Sequence, residues 1–366
     1  MATPRKVLVD SVNSGVYHCI SNCVRGAILS GPKKDRRRQE ILDRLRLLVN
    51  VFAIDGLGFS ILSSHFHLLL RTHPERAEEW SAEEVVRRWS MIHPSSVIAW
   101  AMPIALSRIG ARSQSDCENN TDLELQEAIH LVAQDANRVI DLRRQLSSLS
   151  KFHQVLKQGI AYTANKEDGT RGHFWEARFR SIRVLDAEGL IAVMSYVDLN
   201  PIHAGIATKP EEAEFVSIRD RIDVHRWAGI AGVTPPRPYD ADRRLLRGEA
   251  GSPSRSTSSD GDREVWLAPI DARKYDDGIL PMTLRDYLRF VDFVGRLSRS
   301  DKFGKIPIGL APIAKRLESD PVRVASIVSK LRRSTPGTAI GCDEALKQEA
   351  LRRGRSRVRG IRPDLN

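Results

Sequence analysis

Apolar and polar positions alternate with two different periods along the first half of the chain, and the switches between them mark the elements. Val16 to Ile20 reads as a first strand. The basic run Lys33 to Arg38 then leads into a helix, where Ile41, Leu45, Leu48, Val49 and Phe52 recur at helical spacing. Asp55-Gly56-Leu57-Gly58 reads as a turn, and Phe59 to Arg71 as the next strand. Ser81, with Glu84 three residues on, has the form of a helix cap. Pro94 to Asn120 shows no period and reads as irregular, turn-like from Cys117.

A long helical region is expected from about Asp122 to Lys157. It places Leu142, Leu146, Leu149, Phe152 and Leu156 on one stripe and Arg143, Arg144 and Lys151 largely elsewhere, as a basic surface. Arg178 to Leu185 alternates roughly, with the arginines at 178 and 180 on one parity, and fits a strand with a basic edge. Ala187 to Val197 is a short helix stopped near Asn200-Pro201.

The pattern changes after about residue 208. Residues 247–263 (RGEAGSPSRSTSSDGDR) lack large apolar side chains and read as a flexible stretch inside a 208–264 linker. Leu284 to Leu297, Ile313 to Leu317 and Val322 to Leu331 return to helical spacing, giving a mainly helical region over 265–346. Residues 347–366 form a basic tail, either a solvated surface or an auxiliary nucleic-acid arm. No internal repeat is visible.

Charge narrows the partner. Lys and Arg number 57 against 46 Asp and Glu, a formal +11 that suits a polyanion. Four cysteines, at 19, 23, 117 and 342, are too few and scattered for a disulfide scaffold, and Cys19 and Cys23 lack the second pair of a structural zinc site. The N-terminal MATPRKVLVD has no apolar signal core and no stretch approaches 18 apolar residues, so a soluble cytoplasmic protein with no membrane partner is expected.

The stretch that carries chemistry is Ile61 to Arg71, ILSSHFHLLLR. A strand period of two puts His65 and His67 on one face and Phe66 on the other. Two neutral imidazoles on one face can share a divalent cation, which can polarise a phosphodiester oxygen. The same spacing also fits two polar strand residues with no metal.

Three further blocks accompany this one in order: Val16-Tyr17-His18 with Ser21 and Arg25, Gly172-His173-Phe174-Trp175-Glu176-Ala177-Arg178-Phe179, and Tyr196-Val197-Asp198-Leu199-Asn200-Pro201 with Ala204-Gly205. Together with Ser63-Ser64-His65-Phe66-His67, they resemble the IS200-like transposase family, which includes the REP-associated tyrosine transposases, over residues 10–207. The resemblance implies an α+β domain with a ferredoxin-like antiparallel sheet and helices packed against one side, usually dimeric. It implies single-stranded or hairpin DNA as partner and a divalent metal, magnesium or manganese, held by His65 and His67. A tyrosine would attack the scissile phosphate to leave a 5′-phosphotyrosine link. Arg171, Arg178, Arg180 and Arg183 would contact DNA, with Arg143 and Arg144 on the basic helix beside them.

The chain departs from that pattern. The tyrosine expected in the late block falls at Phe179 or Arg180, the side chain expected one helical turn later at Arg183 or Val184, and the asparagine before the first histidine is Ser64. Tyr17, Tyr162 and Tyr196 are the candidate substitutes, with Tyr162 preferred because its segment could fold back toward the sheet. His18 is a candidate third ligand if the first strand adjoins the histidine strand. Three functions are therefore open: a transposase-like enzyme, a DNA- or RNA-binding protein that has lost cleavage, and a hydrolase using a metal-bound water.

Overall fold

The computed structural model describes residues 5–24, 35–109, 121–223, 266–297, 321–331, 335 and 337–362. The expected turn at Cys117 to Asn120, the stretch 247–263 and the helix at Ile313 to Leu317 lie outside the described residues. Among the described residues, six strands form one sheet: β1 (Gly15–Asn22), β2 (Ile54–Ile61), β3 (His65–Thr72), β4 (Arg180–Val184), β5 (Ala339–Ile340) and β6 (Gly360–Ile361). Their order is β2-β3-β1-β4-β5-β6. Among the described residues the helices are α1 (Arg5–Leu8), α2 (Arg36–Val51), α3 (Pro74–Glu79), α4 (Ala82–Ser90), α5 (Pro94–Ile109), α6 (Thr121–Ala133), α7 (Ala136–Leu146) and α8 (Leu149–Asp168). They continue with α9 (Ala187–Asp198), α10 (Asn200–His203), α11 (Leu284–Leu297), α12 (Pro321–Leu331) and α13 (Asp343–Arg352).

The fold is α+β, with a mixed sheet rather than a wholly antiparallel one. β1 pairs antiparallel with β3 and β4, and β2 with β3, but β4-β5 and β5-β6 are parallel. Parallel neighbours need a crossover, and the helices after β4 and α13 between β5 and β6 supply it. Helices cover both faces instead of one. Tyr17, Cys19, Phe66, Leu68 and Leu70 project into a core shared with α2 and α4 to α8. Leu57, Leu69, Ile182 and Val184 project the other way, onto α9, α11 and α12.

Four departures from the sequence pattern follow from the structure. The single strand expected over Phe59 to Arg71 is a hairpin that turns at Leu62 to Ser64, where Leu62 N–H donates to His65 O at 2.9 Å. Gly56 and Gly58, which suggested a turn, lie inside β2 at a register shift. A Cβ on Gly58 would sit 3.3 Å from Ser217 Oγ, and one on Gly56 3.1 Å from Trp266 Cζ3, so these glycines admit close neighbours. Pro94 to Ile109, read as irregular, is helix α5 with Pro103 inside it. The long helical region is three helices, interrupted where Asp135 accepts from Arg138 N–H and Ser148 from Lys151 N–H as N-caps.

The arginine-rich end is structured. Leu346, Ala350, Val358 and Ile361 are buried between the arginines. Glu349 accepts hydrogen bonds from Arg352 (2.8 Å) and Arg353 (2.6 Å) and lies 3.4 Å from Arg183. Counting charge along the chain hid an apolar stripe and an internal counter-ion.

Candidate functional site

The hairpin turn delivers His65 to the start of β3 and His67 to a position two residues along it. His67 is opposite Ile20 of β1 and Ser60 of β2, and His65 is opposite Asn22. β1 places His18 opposite Leu69, on the same face and diagonal to His67. His18 Nε2 lies 2.9 Å from His67 Nδ1, with the rings stacked at 5.2 Å and 20°. One imidazole donates and the other accepts, as the tautomers dictate. His65 Nδ1 lies 3.2 Å from Ser64 Oγ.

Helix α9 closes this face. Its Tyr196 ring stands edge-on to His67 at 5.5 Å and to His18 at 5.9 Å, with the His203 ring of α10 at 6.4 Å. Leu199 to His203 continue the helical path after Asp198, so Asn200 follows Tyr196 by about one turn on the same side. Asn200 is buried, and its amide nitrogen has no hydrogen-bond partner. Arg180, paired with Ile20 across β1-β4, lies on this face as well.

Electrostatics keep the imidazoles neutral. Burial, reinforced by the Arg180 charge, takes His18 down to about 3. Burial also holds His67 well below the ordinary histidine range, helped by His18, His65 and Arg180, and lowers His65. A neutral imidazole is what a metal requires, and a ligating histidine normally has its second nitrogen held by a neighbour. Here Nδ1 of each motif histidine is held, by Ser64 and by His18, which assigns any coordination to the two Nε2 atoms. Among the described residues no group of three or more His, Cys, Asp or Glu side chains is placed to hold a metal. The donor set therefore fits an open site of two imidazoles plus an amide, water or phosphate, and does not fit a closed structural one.

The other sequence candidates are dispersed. Tyr162 is 73% exposed on α8, a helix whose buried side packs on the opposite face of the sheet. Tyr17 and Phe179 also lie in that opposite core; Phe179 stacks on His153 at 3.8 Å. Arg183 sits there too, bonded to Asp10 at 3.3 Å. Arg143 donates to the Ala77 and Glu78 carbonyls at the end of α3, and Arg144 pairs with Asp141 in solvent. Arg171 and Arg178 are exposed outside the strands, and Arg180, opposite Ile20, is on the histidine face. Strand parity could have separated Phe179 and Arg183 from Arg180. The four-residue step from Tyr196 to Asn200 was the signal for the residues that do converge.

No family model matches the chain, and no curated protein matches it. One solved structure, a REP-associated tyrosine transposase bound to a REP hairpin, is similar over 57% of this chain and 79% of that one, at 9% identity and a TM-score of 0.31. At that level the fold and the site stand on this chain's own residues. Among the described residues no helix is long and apolar enough to cross a membrane.

Proposed function

We propose that the chain binds single-stranded or hairpin DNA and cuts and rejoins it through Tyr196. The observation that carries this reading is the edge contact of Tyr196 with His67 and His18 on the face where the two motif histidines point. The four sequence blocks over 10–207 support it, as does the β2-β3-β1-β4 order with helical crossovers, which fits a ferredoxin-like unit. In this reading the nucleophile expected in the late block stands instead on α9, with Asn200 one turn beyond it.

His65 and His67 would hold a magnesium or manganese ion, with Asn200 as the third protein group. When bound, the ion supplies charge stabilisation to the non-bridging phosphate oxygens. The Tyr196 Oη attacks phosphorus and gives up its phenol proton, the bond to the 3′ oxygen breaks, and that oxygen leaves as a hydroxyl, so that the step amounts to net transfer of the phenol proton to the leaving oxygen. The 5′-phosphotyrosine that remains conserves the bond energy for rejoining. Arg180, with Arg178 and Arg171 farther out, supplies phosphate contacts, so binding weakens as salt rises. His65 is half-buried where His67 is 4% exposed, so DNA enters from the His65 end of the cluster.

The test is incubation of full-length protein with manganese or magnesium and end-labelled hairpin or single-stranded DNA, followed by denaturing electrophoresis. A covalent adduct is expected, abolished by chelation and by Tyr196→Phe and retained in Tyr162→Phe. An adduct that survives Tyr196→Phe overturns the assignment. Salt-sensitive binding without any adduct selects the second reading, a binding protein, which the near-complete burial of Tyr196 (7% exposed) favours.

A further inference from the structure

Helix α9 is buried from Ile191 through Asp198, pressed between the sheet and the helices contributed by residues beyond 280. Most of that contact is apolar and poorly specifies rotation. Ile191, Ala192, Val193, Met194 and Val197 surround the helix axis, and side chains of similar size can interchange with modest strain. One polar contact breaks the degeneracy. Asp198, about 200° around the helix from Tyr196, is fully desolvated, and both its oxygens are engaged. Ser217 Oγ donates to Oδ1 at 2.5 Å, and Tyr287 Oη of α11 donates to Oδ2 at 2.5 Å.

The contact extends in both directions. Ser217 Oγ itself accepts from Phe59 N–H at 3.0 Å, on β2 beside Ser60, the partner of His67. Arg221, also buried, donates to Leu57 O (2.8 Å) and Ala268 O (3.2 Å) and supplies the balancing positive charge. Burial pushes the Asp198 carboxyl up, while Ser217, Tyr287, Arg221 and the Ile218 N–H oppose that shift. On the same side α11 approaches so closely that a Cβ on Gly295 would lie 2.9 Å from Leu199 Cδ2. The strand next to the histidines, the tyrosine helix and α11 are thus joined through one carboxylate.

We propose that the region beyond residue 208 clamps α9, with Asp198 as a positioning residue held between Ser217 and Tyr287, so that a single chain completes its own site. This rests on Tyr196 being the nucleophile. A buried polar contact of this kind is well suited to fixing register, because every alternative rotation strands a desolvated carboxylate. Exchange of α9 with a partner copy would break the hydrogen bond between Asp198 and Tyr287.

The test compares full-length Tyr287→Phe, Asp198→Ala and Asp198→Asn, with Leu142→Ala on the opposite face as a stability control. The carboxamide introduced by Asp198→Asn can still accept from Tyr287 and donate to Ser217, whose proton then turns to Phe59 O, 3.1 Å away. Two readouts are taken: the nuclear Overhauser contact between the Tyr196 and His67 rings, and the adduct rate alongside hairpin affinity. Expected is loss of the ring contact and a drop of about 100-fold in rate in Asp198→Ala and Tyr287→Phe. Affinity should stay within about twofold, and Asp198→Asn and Leu142→Ala should keep the contact. A preserved contact and rate in Asp198→Ala, with only a lowered Tm, overturns the clamp. So does adduct formation when Tyr196→Phe and His67→Ala chains are mixed, since that requires a tyrosine delivered from one chain to another. If wild-type protein forms no adduct, strand transfer fails as a function, and the ring contact still decides the clamp.

Discussion

The His18–His67 pair allows the site's architecture to be tested without any DNA. Truncating His67 to alanine removes one partner of a 2.9 Å hydrogen bond between fully enclosed rings. His18 Nδ1 already has no hydrogen-bond partner, so the variant leaves both nitrogens of His18 unsatisfied in the interior. A buried unpaired polar atom costs about 1–3 kcal/mol, and the lost ring contacts with His18 and Tyr196 add about 1 kcal/mol. Each single alanine variant should therefore lose about 3 kcal/mol. The double variant should lose about 1–2 kcal/mol less than the sum, because the second truncation removes a group the first had stranded. The assay is urea unfolding with chelator present, repeated with manganese in excess. Only chains that keep both motif histidines should then gain stability, about 2.7 kcal/mol at a hundredfold excess over Kd. A coupling below about 0.5 kcal/mol in chelator would mean that the two rings are independent and would refute the geometry. Manganese stabilisation of the His67→Ala chain would refute the assignment of that ring as a ligand.

Two further outcomes concern the scaffold. Burial alone would raise the Asp55 carboxyl, but His73, Arg76 and Arg71, at 2.8–3.0 Å, hold it well below the carboxylate range. Because the folded-state value is depressed, its contribution is complete above the unfolded carboxylate range and is lost as pH falls through the folded one. Asp55→Asn should cost about 3 kcal/mol at neutral pH, and the gap to wild type should narrow below about pH 4; a pH-independent gap counts against the network. In Gly189→Ala the new Cβ would lie 2.9 Å from Ile340 Cγ2 and 3.1 Å from Asp186 Oδ1, where α9 meets β5. Overpacking of about 1–3 kcal/mol should outweigh the gain of about 1 kcal/mol in helix propensity, and a raised Tm would show that α9 does not sit this close to β5.

Local periodicity was enough to make His65 and His67 co-facial and Phe66 opposed, because strand geometry sets side-chain direction without reference to the rest of the chain. It also predicted α9 and the buried stripe from Leu142 to Leu156, but not that the helical path runs on through Pro201 in α10, where proline is tolerated in the first turn. It misread Gly56 and Gly58, whose meaning is the closeness of Trp266 and Ser217, more than 150 residues away. The basic helix face made Arg143 a DNA-contact candidate and the family resemblance made Arg183 one; a guanidinium bonded to a carbonyl or an aspartate, as these are, looks the same in a sequence as one facing solvent. For the choice among Tyr17, Tyr162 and Tyr196 the sequence held only local hints, the strand parity that opposes Tyr17 to His18 and the four-residue step from Tyr196 to Asn200; which face of the sheet Tyr162 and Tyr196 reach is not among them. That face was decided by packing. α8 went to one side of the sheet with Tyr162 on its exposed surface, and α9 was pressed onto the other with Tyr196 against His67, because the helices beyond residue 280 bury its far side.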